Sequence, residues 1–268
     1  MPHWAAHARL ERHRGRNDDA RRVYQTVFNA PRSAIEIGTH QVWWDWAEME
    51  WLSGDSDAAL HVIARSANVE GAGIVASLRA KRKLKESFTA LPEIQWRDRE
   101  ALIKLSALLE LLIDSLDAAS SVFDSNLCDL ERGTIPHESL TVAHLTMLCQ
   151  HGTVLRNPAP PSLLRGKVEK AMEIYPSNTI IIGMFLQGEK GQGVWGRVRR
   201  WLGEGTTGCT AVDKDVARRI TEVWIAGWEK GRWEGEKERA RMGLAAAIES
   251  ERCVVPLCLL VFAERQWP

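Results

Sequence analysis

The sequence is poor in most of the features that mark the commoner functional classes. Its 268 residues include only 2 Tyr and 5 Phe, and 35 basic side chains cancel 35 acidic ones. A formal charge of zero excludes a chain that coats nucleic acid by bulk electrostatics, although it leaves room for a local basic patch. The longest apolar run, Cys253 to Ala263, is broken by Pro256. It falls well short of the roughly 20 residues a membrane helix needs. The opening Met-Pro-His-Trp carries no apolar segment of the kind expected of a secretion signal. Five Cys at 128, 149, 209, 253 and 258 are an odd number with no CxxC pair, which reads as reduced intracellular thiols and not as a disulfide framework. Alternating β-branched runs are scarce. The one aromatic in excess is Trp, with 12 copies, so something in the architecture requires it repeatedly.

Almost every long segment has the apolar spacing of a helix. Ile180-Ile181-Ile182 is the best strand candidate, but it continues into a helical pattern. Breakers fall between the periodic stretches: Ala30-Pro31, Leu91-Pro92, Ile135-Pro136, Asn157 to Pro161, and Gly203 to Gly208. Asp55 and Ser177-Asn178 stand where helix N-caps belong. The reading is about a dozen helices with short connections, and hence an all-α chain.

The helices repeat. Counting from Glu11, Trp4 lies at −7, His7 at −4, Gly15 at +4, Ala20 at +9, Val23 at +12 and Tyr24 at +13. Counting from Glu50, Trp43, Trp46, Gly54, Ala59, Val62 and Ile63 occupy the same offsets. Glu110 gives Ile103, Asp114, Ala119, Val122 and Phe123, and Glu189 gives Ile182, Phe185, Gly193, Val198, Trp201 and Leu202. Fainter copies centre on Glu229 and Glu264. Offsets −7, −4 and 0 share one stripe of a first helix. Gly at +4 suits a left-handed cap, Ala at +9 lets a second helix approach, and the large residue at +13 closes the layer. One such pair cannot bury its own apolar face, whereas stacked pairs can. Trp4, Trp43 and Trp46 are therefore expected in the core instead of serving as a base-stacking platform. Trp44 and Trp51 lie off the stripe, either packed on the next repeat or exposed to a partner. The repeated glutamates recur one per unit instead of converging on one place, so they are read as structural acceptors from a neighbouring helix.

The unit Trp4 to Glu11 followed by Asp18-Asp-Ala-Arg-Arg-Val-Tyr24, with its second copy Val42-Trp-Trp-Asp-Trp-Ala-Glu-Met-Glu50, resembles the half-a-TPR (HAT) repeat. Glu173 to Ile180, Phe185-Leu-Gln-Gly-Glu189 with Arg197-Val-Arg199, and Ala245 to Cys253 with Phe262-Ala-Glu264 are similar to the repeat region of the nuclear "necessary for RNA interference" family. That resemblance implies a nuclear protein of RNA surveillance, splicing and small-RNA silencing, associated with the exosome-linked RNA helicase. In that family the helicase contact is attributed to a region upstream of the repeats, so no residue here inherits it. HAT proteins of splicing and of mRNA 3′-end processing share the same skeleton and form an alternative. A TPR-like peptide-binding module outside RNA metabolism is another.

The densest basic run is Arg79, Lys81, Arg82, Lys83 and Lys85, five cations in seven residues with no acid between them. It is either an RNA-phosphate or nuclear-localisation-like patch or a solvated helix face. Arg197, Arg199 and Arg200, flanked by Trp195 and Trp201, form a second run. His144, Cys149 and His151 are metal-ligand types, but a separation of five residues puts His144 and Cys149 on different helix faces. The Gly188, Gly191, Gly193 cluster lacks the Lys-Ser/Thr of a phosphate-binding loop and reads as a turn. No nucleophile–base motif appears, and neither enzyme activity, cofactor nor metal is expected. The expectation is one superhelical α-solenoid of antiparallel helix pairs over 1–268. It opens inside a first repeat and ends inside a last helix, as a fragment of a longer protein does. The expected role is that of a scaffold docking protein partners in nuclear RNA processing or silencing.

Overall fold

The computed structural model describes residues 2–29, 37–71, 73–176 and 178–190, together with 238, 241–242, 244–245, 248–249 and 254–266. All regular structure among them is helical. The elements are α1 (Pro2–His13), α2 (Asn17–Asn29), α3 (Thr39–Leu52), α4 (Ser56–Ser66), α5 (Ile74–Ala90), α6 (Trp96–Ile113), α7 (Leu116–Cys128), α8 (Ile135–Cys149), α9 (Pro161–Ile174), α10 (Thr179–Lys190) and α11 (Val254–Gln266), with a π-helical turn, Gln150–Val154, closing α8. The chain divides into two compact units, Met1–Pro160 and Pro161–Pro268.

In the first unit the template becomes three helix pairs, α1–α2, α3–α4 and α6–α7. The same backbone bond closes the first helix of each. The amide at +5 donates to the carbonyl of the repeat glutamate, Arg16 to Glu11 at 2.9 Å, Asp55 to Glu50 at 3.1 Å and Ser115 to Glu110 at 3.2 Å. Gly15 and Gly54 take φ of 76° and 84°, the left-handed conformation that Gly adopts without a Cβ penalty. The third pair has Asp114 there, with φ −131°, so it turns without a left-handed residue. Asp55 and Ser115 then cap the second helices, accepting from Ala58 N at 2.8 Å and Ala118 N at 3.2 Å. Ala20, Ala59 and Ala119 at +9 are buried, and so are Tyr24, Ile63 and Phe123 at +13.

α3 is the central element. It reads Thr-His-Gln-Val-Trp-Trp-Asp-Trp-Ala-Glu-Met-Glu-Trp-Leu, apolar around most of its circumference, as a helix enclosed by neighbours should be. It packs on α4 and α6 and touches α1 and α2. Trp43 stacks on Phe28 of α2, with ring centroids 3.5 Å apart, and Trp46 stacks on Tyr24 at 5.8 Å. Arg65 of α4 lies over both indoles, 5.8 and 5.5 Å from their centroids. Trp44 and Trp51 are buried as well, Trp44 beneath Lys104 of α6 at 5.2 Å. The two tryptophans that sequence left open thus pack inside.

Trp4 departs from expectation. It is 50% exposed, so it is not a core residue. In the second copy position −7 is covered by the second helix of the pair before it, through Phe28. No helix stands before α1 among the described residues to do the same.

The start of α3 depends on a distant residue. Asp98 of α6 is buried and accepts from the amides of Gly38 at 2.7 Å and His40 at 3.1 Å. It supplies the carboxylate that the local sequence, Gly38 at the cap position, lacks.

In the second unit α9 packs on α10. Val168, Ala171, Met172 and Tyr175 are buried in or just after α9, and Ile181, Ile182, Phe185 and Leu186 in α10. Ile182 and Phe185 are the −7 and −4 positions of the fourth copy. Asn178 caps α10, accepting from Ile180 N at 3.0 Å and Ile181 N at 3.1 Å, and the Ile triplet is helix, not strand. The side chain of Glu189 and all of Glu229 lie outside the described residues. Glu264, on α11, is exposed and pairs with Arg241, Nη2 to Oε2 at 2.9 Å, so its position is not a buried acceptor.

Candidate partner-binding surface around the basic helix

Three repeat acids are buried, and each meets cations differently. Glu50 accepts from Trp46 Nε1 at 2.8 Å within its own helix. It also takes Arg21 of α2 as a two-toothed partner, from Nε at 2.8 Å and Nη2 at 2.7 Å. Arg21 in turn is held further in its charged form, first by that bond to Glu50. Glu110 is reached by Lys81 of α5 at 2.7 Å. Glu11 has Arg14 at 3.1 Å, from the turn that ends its own helix. The acceptor role expected of these residues thus joins two neighbouring elements at Glu50 and Glu110 and stays local at Glu11. A second ionic seam runs from α1 to α3 through Arg9–Asp45 at 2.7 Å and Arg12–Glu48 at 2.8 Å, and Gln150 donates to Glu48 at 2.9 Å. Burial pushes the Asp45 carboxyl above the usual range in spite of Arg9.

The five cations of the densest run all lie exposed on α5. α5 rests on α6 through a narrow stripe, Ala76, Ala80 and Leu84, the residues it buries. Its other positions are free to be charged. Not every cation is unpaired: Lys81 holds Glu110, while Arg82 and Lys83 share Glu86 at 2.9 and 3.0 Å. Those two cations hold the Glu86 carboxyl below the usual range, chiefly through the Lys83 hydrogen bond.

α5 stands between α4 and α7, with α6 beneath it, and a groove runs along each side. The larger, about 790 Å³, is walled by α4, α5 and the end of α6. The smaller, about 340 Å³, is lined by Lys81, Lys85 and Phe88 of α5, by α6, and by Val122, Ser125 and Asn126 of α7. Sequence reasoning located the charge on α5 but not the grooves. Those arise because α5 is an extra helix between the second and third pairs, and the pair template contains no place for it.

The remaining candidates come together less. His144 stacks on Phe123 at 4.6 Å with Nε2 3.3 Å from Ser120 Oγ, and Cys149 Sγ lies 3.4 Å from Thr153 Oγ1. Among the described residues no group of three His, Cys, Asp or Glu is placed to hold a metal ion. Cys128, Cys149 and Cys258 are free thiols. Arg197, Arg199, Arg200, Gly191 and Gly193 lie outside the described residues. No helix of the described residues is long and apolar enough to cross a membrane.

No protein-family model matches this chain, and no curated protein matches it either.

Proposed function

We propose that the protein is a non-enzymatic helical-repeat scaffold of the HAT type, a superhelical stack of helix pairs that docks protein partners in nuclear RNA processing, RNA surveillance or small-RNA silencing. One observation carries the repeat reading. Three pairs that share the sequence template reproduce the same closing bond at +5, the same buried Ala at +9 and the same buried acid. Stacked units of this kind present an extended surface whose chemistry varies from unit to unit while the interior stays constant. α5, the extra helix between the second and third pairs, adds exposed charge and flanking grooves to that surface. The RNA-processing context rests on the resemblance of the Trp4–Tyr24 and Val42–Glu50 stretches to HAT repeats.

Affinity purification of the tagged protein from nuclei, read by mass spectrometry, tests this reading. RNA-surveillance or silencing factors, the exosome-linked helicase among them, are the expected outcome. Splicing or 3′-end cleavage factors would move the protein to its nearest alternative. Chaperones or receptor tails without RNA factors would overturn the RNA assignment in favour of a peptide-binding module.

A further inference from the structure

The first helix pair leaves open a face that is covered in the other two. Positions −7 and −1 are Trp43 and Met49 in the second pair and Ile103 and Leu109 in the third, all buried. In the first pair they are Trp4 and Leu10, 50% and 47% exposed. They lie three residues to either side of His7, and Glu11 follows His7 by one turn on the same side of α1. Glu11 is buried, yet its Oε2 accepts no hydrogen bond among the described residues. Arg16 Nη1 stands 3.6 Å from that oxygen.

The helices that cover the other two pairs share a signature. α2 covers α3 with Arg21 on Glu50, Tyr24 stacked on Trp46 and Phe28 stacked on Trp43. α5 covers α6 with Lys81 on Glu110, with buried Leu84, and with Phe88, whose ring lies 4.6 Å from the Arg99 guanidinium of α6. Phe88 and Ile103 also line the smaller groove together. Both helices therefore read cation, large apolar residue three later, Phe seven later, which is one face of a helix. A cation followed at +3 by a large apolar residue and at +7 by an aromatic occurs nowhere else in the 268 residues.

We infer that the open face of α1 receives an α-helix of a partner protein that carries this signature. Its Arg or Lys bonds Glu11, its +3 side chain packs on His7 and its +7 aromatic packs on Trp4, so it runs antiparallel to α1. The inference rests on the scaffold reading above and names the class of partner. A buried carboxylate oxygen without a donor selects a cation, and Trp4 and Leu10 select an apolar stripe around it. A second copy of this chain fits less well, because both of its signatures are already engaged on Glu50 and Glu110. RNA stacked on Trp4 fits less well too, since the Glu11 carboxylate within that face repels phosphate. Arg14 and Arg16, 53% and 61% exposed, reach Glu11 from the turn and compete with the incoming cation. Ser53 holds the place of Arg14 in the second pair.

The full chain is used to select from a displayed library of helical peptides. A uridine-rich single-stranded RNA oligonucleotide is measured in parallel, and self-association is followed by sedimentation. Enriched peptides should share Arg or Lys, a large apolar residue at +3 and an aromatic at +7. Trp4→Ala should weaken them at least about tenfold, a loss of about 1.4 kcal/mol or more. Glu11→Gln should weaken them severalfold and, on reselection, remove the preference for a cation. Arg14→Ser, which copies the second pair, should strengthen them severalfold. Trp4 and Arg14 are exposed, so the thermal melts of those two variants should match the parent and separate lost binding from lost folding. The inference is overturned by any of five results: no enriched helix, enrichment without a cation, peptides that bind Trp4→Ala as well as the parent, self-association that Trp4→Ala abolishes, or RNA binding that depends on Trp4 while no peptide binds. Each of these leaves the scaffold reading standing, since that reading depends on which nuclear proteins co-purify.

Discussion

The first and second helix pairs carry the same template, yet the second is sealed and the first is not. Trp43 is 9% exposed beneath Phe28, whereas Trp4 at the same offset is 50% exposed. Glu50 is bound by an arginine from the preceding pair, whereas among the described residues the partners of Glu11 are local, His7 of its own helix and Arg14 and Arg16 of the turn that follows. The acid is buried in all three pairs, whereas the −7 position has no fixed burial of its own. In the second pair its cover comes from the second helix of the pair before, through Phe28, so the pattern specifies the socket without specifying what fills it.

The widest difference between the pairs should appear on removing the indoles. Trp43→Ala should cost about 3–5 kcal/mol, as expected for a buried Trp, while Trp4→Ala should stay within about 0.5 kcal/mol. Urea unfolding of the two variants measures both, and comparable losses would erase the distinction. The acids come next. Glu50→Ala leaves Arg21 and the Trp46 indole without their acceptor and should cost about 2–3 kcal/mol. That is below the roughly 3–5 kcal/mol of a fully buried pair, because the Arg21 side chain is 34% exposed. Glu11→Ala should cost about 1 kcal/mol or less, in the range of exposed pairs, since Arg14 is mostly solvated.

These differences show what was readable beforehand. The all-α class, the pair boundaries, Gly15 and Gly54 as turns and Asp55 as a cap followed from spacing and residue chemistry, because each depends on neighbours close in the chain; the buried glutamates followed from their recurrence on the apolar stripe, although the partners of Glu50 and Glu110, Arg21 and Lys81, come from other helices. Trp4 was misplaced because its cover would come from another unit. Asp98 was missed as the cap of α3 because 60 residues separate it from Gly38. The grooves were missed because α5 attaches through two alanines and a leucine, too faint an apolar stripe to announce a helix between two pairs.

Two smaller effects sharpen the comparison at the start of α3, for which the first pair has no counterpart. Asp98→Ala should destabilise by about 1–2 kcal/mol in the same urea assay, as the loss of an N-cap does, while Asp98→Asn, which keeps an acceptor oxygen, should recover part of it. The second effect concerns pH. Burial holds the His40 imidazole below the ordinary histidine range, against the opposite pull of Asp98. Burial likewise lowers His137 and His151. A depressed folded pKa gives stability that is complete above the unfolded value, about 6.5, and is lost as pH falls through the folded one. Melting temperature should therefore drop between about pH 7 and pH 5, and His40→Gln should flatten part of that slope. An unaltered slope would remove His40 from the linkage.

The joint between pairs is tested most directly by a double-mutant cycle on Arg21 and Glu50, set beside the same cycle on Arg14 and Glu11. If the second helix of the first pair seals the acid of the second, Arg21 and Glu50 should couple by about 1.5 kcal/mol or more, and Arg14 and Glu11 by less than about 0.5 kcal/mol. A coupling between Arg21 and Glu50 no larger than that of Arg14 and Glu11 would contradict the stacking of one pair on the next.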